Sequence, residues 1–111
     1  MTNVEYETRE LVREIRRSNE YNQYQRLRRK LSRDSALMER LDQYRRECFY
    51  IQAGDPAQDD THRLLQLEKD NNDILSQPSV REFLLSEQKL CRMISRITTA
   101  VTQAADLQLD L

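Results

Sequence analysis

Residues 79–105, SVREFLLSEQKLCRMISRITTAVTQAA, decide the fold because apolar side chains recur in them at steps of three and four. This spacing is typical of one face of an α-helix. The apolar positions are Val80, Phe83/Leu84, Leu90/Cys91, Ile94, Ile97, Val101 and Ala104/Ala105. At 1.5 Å per residue, a helix of this span is about 40 Å long. It overhangs any globule built from short helices, so we expect another subunit to cover much of its apolar face.

Shorter helices are predicted throughout the preceding sequence. Thr2 and Glu5 have the spacing of a capping box, so a first helix begins there and reaches about Arg17. A break at 18–20 separates it from a second helix, and Asp34 caps a third. The third helix, about 36–52, has the most regular apolar stripe, formed by Leu37, Leu41, Tyr44, Cys48 and Ile51.

A fourth helix is predicted over about 61–76, after a loop near 53–60 that contains the only glycine. Its inward side chains are expected to be Leu64, Leu67 or Leu65, Ile74 and Leu75. Pro78 interrupts the helical pattern near 77–79, since proline disfavours helical geometry in the residue before it. Ser79 and Glu82 then form a second candidate capping box.

Composition agrees with this pattern. One glycine and two prolines in 111 residues are too few for the turns of an all-β or doubly wound fold. Charged residues make up 33% of the chain, but the net charge is only −1, so disorder driven by like charges is disfavoured. The sequence therefore predicts an all-α protein: a single elongated helical-bundle domain over residues 1–111, with about five helices and a long C-terminal one.

Residues that carry enzymatic or metal chemistry are few. The only histidine, His62, follows Asp59 and Asp60, and adjacent ligands cannot close a coordination shell. Cys48 and Cys91 are 43 residues apart, which suits neither a metal site nor a disulfide framework, so both are predicted to be reduced core thiols. No phosphate loop or hydrolase motif occurs. We expect no enzyme, no metal and no cofactor.

The N-terminal residues are charged and lack the apolar core of a signal peptide, and no apolar run is long enough to span a bilayer. A cytoplasmic protein without membrane insertion is expected.

A basic cluster on the second helix keeps two functions open. It comprises Arg26, Arg28, Arg29, Lys30 and Arg33, one turn after Tyr21 and Tyr24. Arginines neutralise phosphates and tyrosines stack on bases, which is the pattern of an RNA-binding regulator. The same arginines suit carboxylates on a partner protein. A pI near 5.9 disfavours direct nucleic-acid binding, so the cluster is predicted to bind a protein partner.

Glu87 lies on the apolar stripe of the last helix, between Phe83/Leu84 and Leu90/Cys91. A buried carboxylate is costly unless it is paired and hydrogen-bonded. Glu87 is therefore either a pairing determinant at a helix interface or a residue at the stripe edge whose head reaches water. The candidate interface residues of this helix are Phe83, Leu84, Glu87, Leu90, Cys91, Ile94, Ile97 and Val101.

The chain resembles a known family in several stretches. The pattern SxEYxxY occurs at 18–24, PxVxxFLxxEQxL occurs at 78–90, and further similar residues lie at 9–15, 34–45 and 106–107. These patterns are similar to those of the YlbF/YmcA (control of competence) family of Firmicutes. Some members carry cysteines in a C-terminal tail linked to iron–sulfur binding, whereas this chain ends AADLQLDL, so no cluster is expected.

The resemblance implies a small helical regulatory protein that forms homo- or hetero-oligomers with itself or with paralogues. Members of that family support competence, sporulation and biofilm development through a complex that tunes RNase Y-dependent RNA processing. A regulatory adaptor is accordingly predicted. The alternatives are the RNA-binding regulator and a purely structural helical assembly protein.

Overall fold

The computed structural model describes residues 2–54 and 60–105. Within these ranges the chain forms six helices and no strand, which confirms the all-α prediction. The predicted loop near 53–60 lies mostly outside the described residues. The helices are α1 (Asn3–Arg17), α2 (Asn19–Leu31), α3 (Ser35–Gln52), α4 (Thr61–Asp70), α5 (Asn72–Leu75) and α6 (Pro78–Ala104).

Local side chains start the first three helices where the sequence predicts. The Thr2 hydroxyl accepts from the Glu5 amide at 3.1 Å, and the Glu5 carboxylate accepts from the Thr2 amide at 3.4 Å. This confirms the first capping box. The Ser18 hydroxyl accepts from the Tyr21 amide at 3.1 Å, and Asp34 Oδ1 accepts from the Leu37 amide at 3.1 Å. Each contact satisfies a donor that the first helical turn leaves without an intrahelical partner.

Two local predictions are wrong. The single helix predicted over 61–76 is divided into α4 and α5 at Asn71, whose side-chain Nδ2 donates to the Leu67 carbonyl at 2.9 Å. Such side-chain bonds offer the backbone an alternative to a continuous helix. The second capping box is also wrong, because α6 begins at Pro78 and the Gln77 carbonyl accepts from the amides of Val80 and Arg81. Ser79 therefore lies inside the first turn.

The described chain divides into two compact units. Residues 27–83 form the unit that holds the hydrophobic core. Three of its side chains, Leu41, Val80 and Phe83, are fully buried. The buried apolar residues are Leu27, Leu31, Met38, Leu41, Ile51, Leu67, Ile74, Val80 and Phe83. Because α2 to α6 all contribute to this set, every helix of the unit is held by apolar burial.

The other unit combines residues 1–26 with residues 84–111. In its described part, α1 has no buried residue, and in α6 only Ser86 is buried. Leu11 and Val12 on α1 are exposed, and so are Ile94 and Val101, although these two belong to the apolar stripe that the sequence predicts for the last helix. This unit therefore leaves its amphipathic helices largely uncovered. The expectation of a single domain over 1–111 stays a prediction.

Candidate interaction surfaces

The apolar face of α6 is the first candidate surface. We call Leu90, Ile94, Ile97, Val101 and Ala104 the α6 seam; they follow one another at steps of four and three, the spacing of a coiled-coil stripe. Ile94 is 44% exposed and Val101 is 60% exposed, whereas Leu90 and Ile97 are half-buried. From Glu87 to Ala105, a range that the structure describes in full, no residue is buried. The α6 seam is thus an apolar stripe open to solvent.

Three predicted interface residues differ from the seam in their surroundings. Phe83 is fully buried in the core of the 27–83 unit, where the Arg45 guanidinium lies 5.2 Å from the centroid of its ring. Its side chain is therefore not available at the surface. Leu84 is half-buried. Cys91 is exposed, so its assignment as a core thiol is wrong: the apolar face beside it has no cover within its unit.

Glu87 lies one turn before Leu90. The residue is half-buried, and one of its carboxylate oxygens, Oε2, is buried. Burial removes water from that side of the carboxylate, which costs free energy unless other contacts of the group compensate. A role in helix pairing stays a prediction.

The basic cluster on α2 is partly neutralised by α3. Arg28 Nη1 lies 3.8 Å from Asp42 Oδ1, and the same oxygen lies 3.0 Å from Arg45 Nη1. Asp42 thus holds an arginine from its own helix and one from α2. The other residues of the cluster, all exposed, are Arg26, Arg29, Lys30 and Arg33; Arg26 belongs to the unit of residues 1–26 and 84–111.

An open groove beside this pair carries more negative charge. Its lining residues are Ser32, Ser35, Met38, Glu39, Asp42 and Arg46. Two carboxylates against one guanidinium make the groove unsuitable for a phosphate, since like charges repel. The groove and the cluster residues of the 27–83 unit together carry charges of both signs.

The sequence did not indicate the contact between Tyr44 and Cys48. Burial, followed by a hydrogen bond with the Cys48 thiol, raises the pKa of Tyr44 well above its ordinary value of 10.0. The phenol is therefore neutral at physiological pH. Cys48 is half-buried and not disulfide-bonded. Both residues lie on the third-helix stripe, so the periodicity of apolar positions was the only signal for their contact.

His62 is exposed at the second position of α4. No group of three or more His, Cys, Asp or Glu side chains that could hold a metal ion occurs in residues 2–54 and 60–105. Over the same residues, no helix combines the length and the apolarity that crossing a bilayer requires.

These features define an all-α protein whose distinctive side chains lie on exposed helix faces. Over residues 4–105, the chain matches the family described as control of competence regulator ComK, YlbF/YmcA, and it belongs to that family. This confirms the resemblance seen in the sequence patterns at 18–24 and 78–90. No curated protein and no solved structure matches the chain.

Proposed function

We propose that this chain is a non-enzymatic regulatory adaptor that packs its α6 seam against a second copy of itself or a paralogous family member. The observation that carries the proposal is the exposure of Ile94 and Val101 on a regularly spaced apolar stripe. Soluble chains rarely leave a contiguous apolar face open unless another molecule covers it.

Burial of the α6 seam contributes favourable free energy to association. Each fully buried Val, Leu or Ile side chain contributes about 1.5–3 kcal/mol relative to the exposed state. Ile94 and Val101 begin more than one-third exposed, and Leu90 and Ile97 still have surface to lose. A partner helix with the same spacing would interlock with these side chains as in a coiled coil.

The family sets the process in which the adaptor acts. Because the chain belongs to a family of competence regulators, we place its action in the control of competence, in the cytoplasm. The finer mechanism is participation, with family members, in the complex that tunes RNase Y-dependent RNA processing, with effects on sporulation and biofilm development. The mixed charge around Arg28 and Asp42 supports a protein partner for the basic cluster.

The association is tested by light scattering coupled to size exclusion, over a micromolar concentration series. The wild-type chain should give at least twice its 13.3 kDa mass. Ile94→Ser with Val101→Ser should lower the average mass at every concentration, because both side chains lose their apolar surface. Leu65→Ser is the matched control: Leu65 is 52% exposed on α4, in the other unit, and its loss should leave the mass unchanged. A wild-type monomer with a cooperative thermal transition contradicts the proposal.

The partner class is tested by affinity capture from native lysate, with and without nuclease. Partners that survive nuclease and are lost with Ile94→Ser/Val101→Ser support the adaptor. For the isolated protein, we expect RNA binding no tighter than a Kd of about 10⁻⁵ M, the non-specific range. Salt-sensitive sub-micromolar RNA binding that Arg28→Glu with Arg29→Glu abolishes would instead establish the RNA-binding function.

A further inference from the structure

A line of three cations follows the side of α6 that faces away from the seam. Lys89, Arg92 and Arg96 are all exposed, and their steps of three and four place them in a row along the helix. We call this row the α6 basic line. With 100° of rotation per residue, its centre lies on the opposite side of the helix from Ile94 and Val101.

The α6 basic line has no anionic partner in residues 2–54 and 60–105: no ion pair forms with any of its three side chains there. Glu87 is the only carboxylate in residues 84–105, and it lies on the seam side. The three charges therefore act together over about 10 Å of helix, at a rise of 1.5 Å per residue.

The chain carries a carboxylate row with the same spacing on α1. Glu7, Glu10 and Glu14 repeat the steps of three and four, and we call them the α1 acidic line. Glu10 lies 3.3 Å from Arg13 and Glu14 lies 3.3 Å from Arg17, both as neighbours three residues apart on the same helix. Such exposed pairs are worth less than about 1 kcal/mol, so they exchange readily for a stronger partner.

We propose that the α6 basic line binds the α1 acidic line of a second copy of this chain. Both lines span eight residues with the same order of steps, so the carboxylates and cations meet one to one when the two helices lie side by side and parallel. Opposite charges arranged this way fix register and orientation at an interface. A nucleic acid is a poorer occupant, because no aromatic side chain lies in residues 84–105 to stack on a base.

This contact uses the face of α6 that the seam leaves open, so it stands apart from the proposed function. A chain that uses both faces builds an assembly larger than a dimer, because each α6 then contacts two other chains. The α6 basic line alone joins copies through α1, even where the seam is disabled.

Charge reversal tests the proposal on the full chain. One variant carries Lys89→Glu, Arg92→Glu and Arg96→Glu; the other carries Glu7→Lys, Glu10→Lys and Glu14→Lys. Sedimentation velocity of each variant alone, in the Ile94→Ser/Val101→Ser background, should show self-association weakened at least about tenfold, since like charges now face each other. An equimolar mixture should associate again, because the reversed α6 of one variant meets the reversed α1 of the other.

A third variant, Arg9→Glu/Arg16→Glu/Lys69→Glu, is the control for net charge. It makes the same formal change as the α6 reversal at exposed side chains outside both lines, and it should keep its self-association. In the parent background, association should weaken as salt rises, because the contact is electrostatic and exposed. Circular dichroism confirms that each variant is helical. Unchanged association of the reversed variants, or a mixture that stays monomeric, overturns this proposal. Neither result bears on the proposed function, because the seam is disabled in all of these variants.

Discussion

The two units of this chain differ in whether the apolar faces of their helices are buried. Residues 27–83 bury one apolar stripe from each of their helices, so that Leu41, Val80 and Phe83 have no solvent contact. Residues 2–26 and 84–105 have equally regular stripes, yet Ile94 and Val101 remain exposed. Amphipathic periodicity therefore specifies a helix and a face, but it does not specify whether the same chain provides the cover.

The largest difference between the units should appear when an apolar side chain is removed from each. Phe83→Ala should lower the free energy of unfolding by about 3–5 kcal/mol, because it opens a cavity in a closed core. It also removes the ring beneath the Arg45 guanidinium. Leu85→Ala, on the same helix at a side chain that is 52% exposed, should cost less than about 1 kcal/mol. Urea unfolding of both variants makes the comparison.

We call residues 27–83 the closed unit and residues 2–26 with 84–105 the open unit. Similar losses of unfolding free energy for Phe83→Ala and Leu85→Ala would contradict this division. The oligomeric state should be measured at the same concentrations, so that a loss of association is not read as a loss of core packing.

Glu87 is a half-buried charged residue of the open unit, and its substitution tests what that charge contributes. Glu87→Ala should lower stability by about 1–3 kcal/mol, since Glu87 is half-buried and takes part in a polar or electrostatic interaction, and the group opposite it would lose that partner. Glu87→Gln keeps the shape and one acceptor, so it should cost less. Thermal unfolding with light scattering gives both stability and assembly. An effect of Glu87→Ala within about 0.5 kcal/mol, with assembly unchanged, would assign the residue to the solvated stripe edge.

In the closed unit, Asp42 joins α2 to α3 through Arg28 and Arg45. Asp42→Ala should cost about 1 kcal/mol, because both contacts are partly exposed and water screens them. Raising the salt concentration should shrink the difference from wild type. Arg63→Ala, which removes the partner of Asp60 at the start of α4, is a control in the same unit and should change stability less. Equal losses of stability for Asp42→Ala and Arg63→Ala would show that the Asp42 contacts do not contribute to holding α2.

The smallest expected effect concerns the ion pair between Arg40 and Asp73. Arg40 Nη2 donates to Asp73 Oδ1 at 2.9 Å and to Asn71 Oδ1 at 3.3 Å. The hydrogen bond from Arg40 holds the pKa of the Asp73 carboxyl below its ordinary value of 3.8. The ionised carboxylate is thus favoured in the folded chain, so the pair's contribution is present above pH 3.8 and is lost as the pH falls through the folded pKa.

The measurement is the difference in melting temperature between wild type and Asp73→Asn across acidic pH. We expect a small positive difference at neutral pH that vanishes in acid. A difference that persists or grows as Asp73 is protonated would contradict the assigned sign.

Short-range features were predictable because the residues that determine them lie within one turn. Thr2, Ser18 and Asp34 begin their helices through contacts three residues away, and the sequence alone indicated all three. The break at Asn71 was not predicted because it depends on two contacts of the Asn71 side chain. Its Nδ2 donates to the Leu67 carbonyl, and its Oδ1 accepts from Arg40, thirty-one positions away.

The surfaces were harder to predict than the helices. Periodicity alone could not decide which residue of each pair, Phe83/Leu84 or Leu90/Cys91, lies on the apolar face of the helix. The tertiary packing places Phe83 in the core and leaves Cys91 exposed to solvent. Met38, adjacent to Leu37 on α3, is buried and was not expected. The α6 basic line was not singled out from the sequence, because its distinguishing property, the lack of an ion pair within residues 2–54 and 60–105, required the structure.

Helix α6 supplies Val80 and Phe83 to the closed unit and Leu84 to Ala104 to the open one. A ligand that binds only the folded form raises the melting temperature as its free concentration rises, and a second copy of the chain at the proposed seam contact would be such a ligand. Because one continuous helix serves both units, the proposed assembly at the seam would be coupled to folding of the core. This coupling predicts that the melting temperature of residues 27–83 rises with protein concentration, so that the stability of each copy depends on how many others are present.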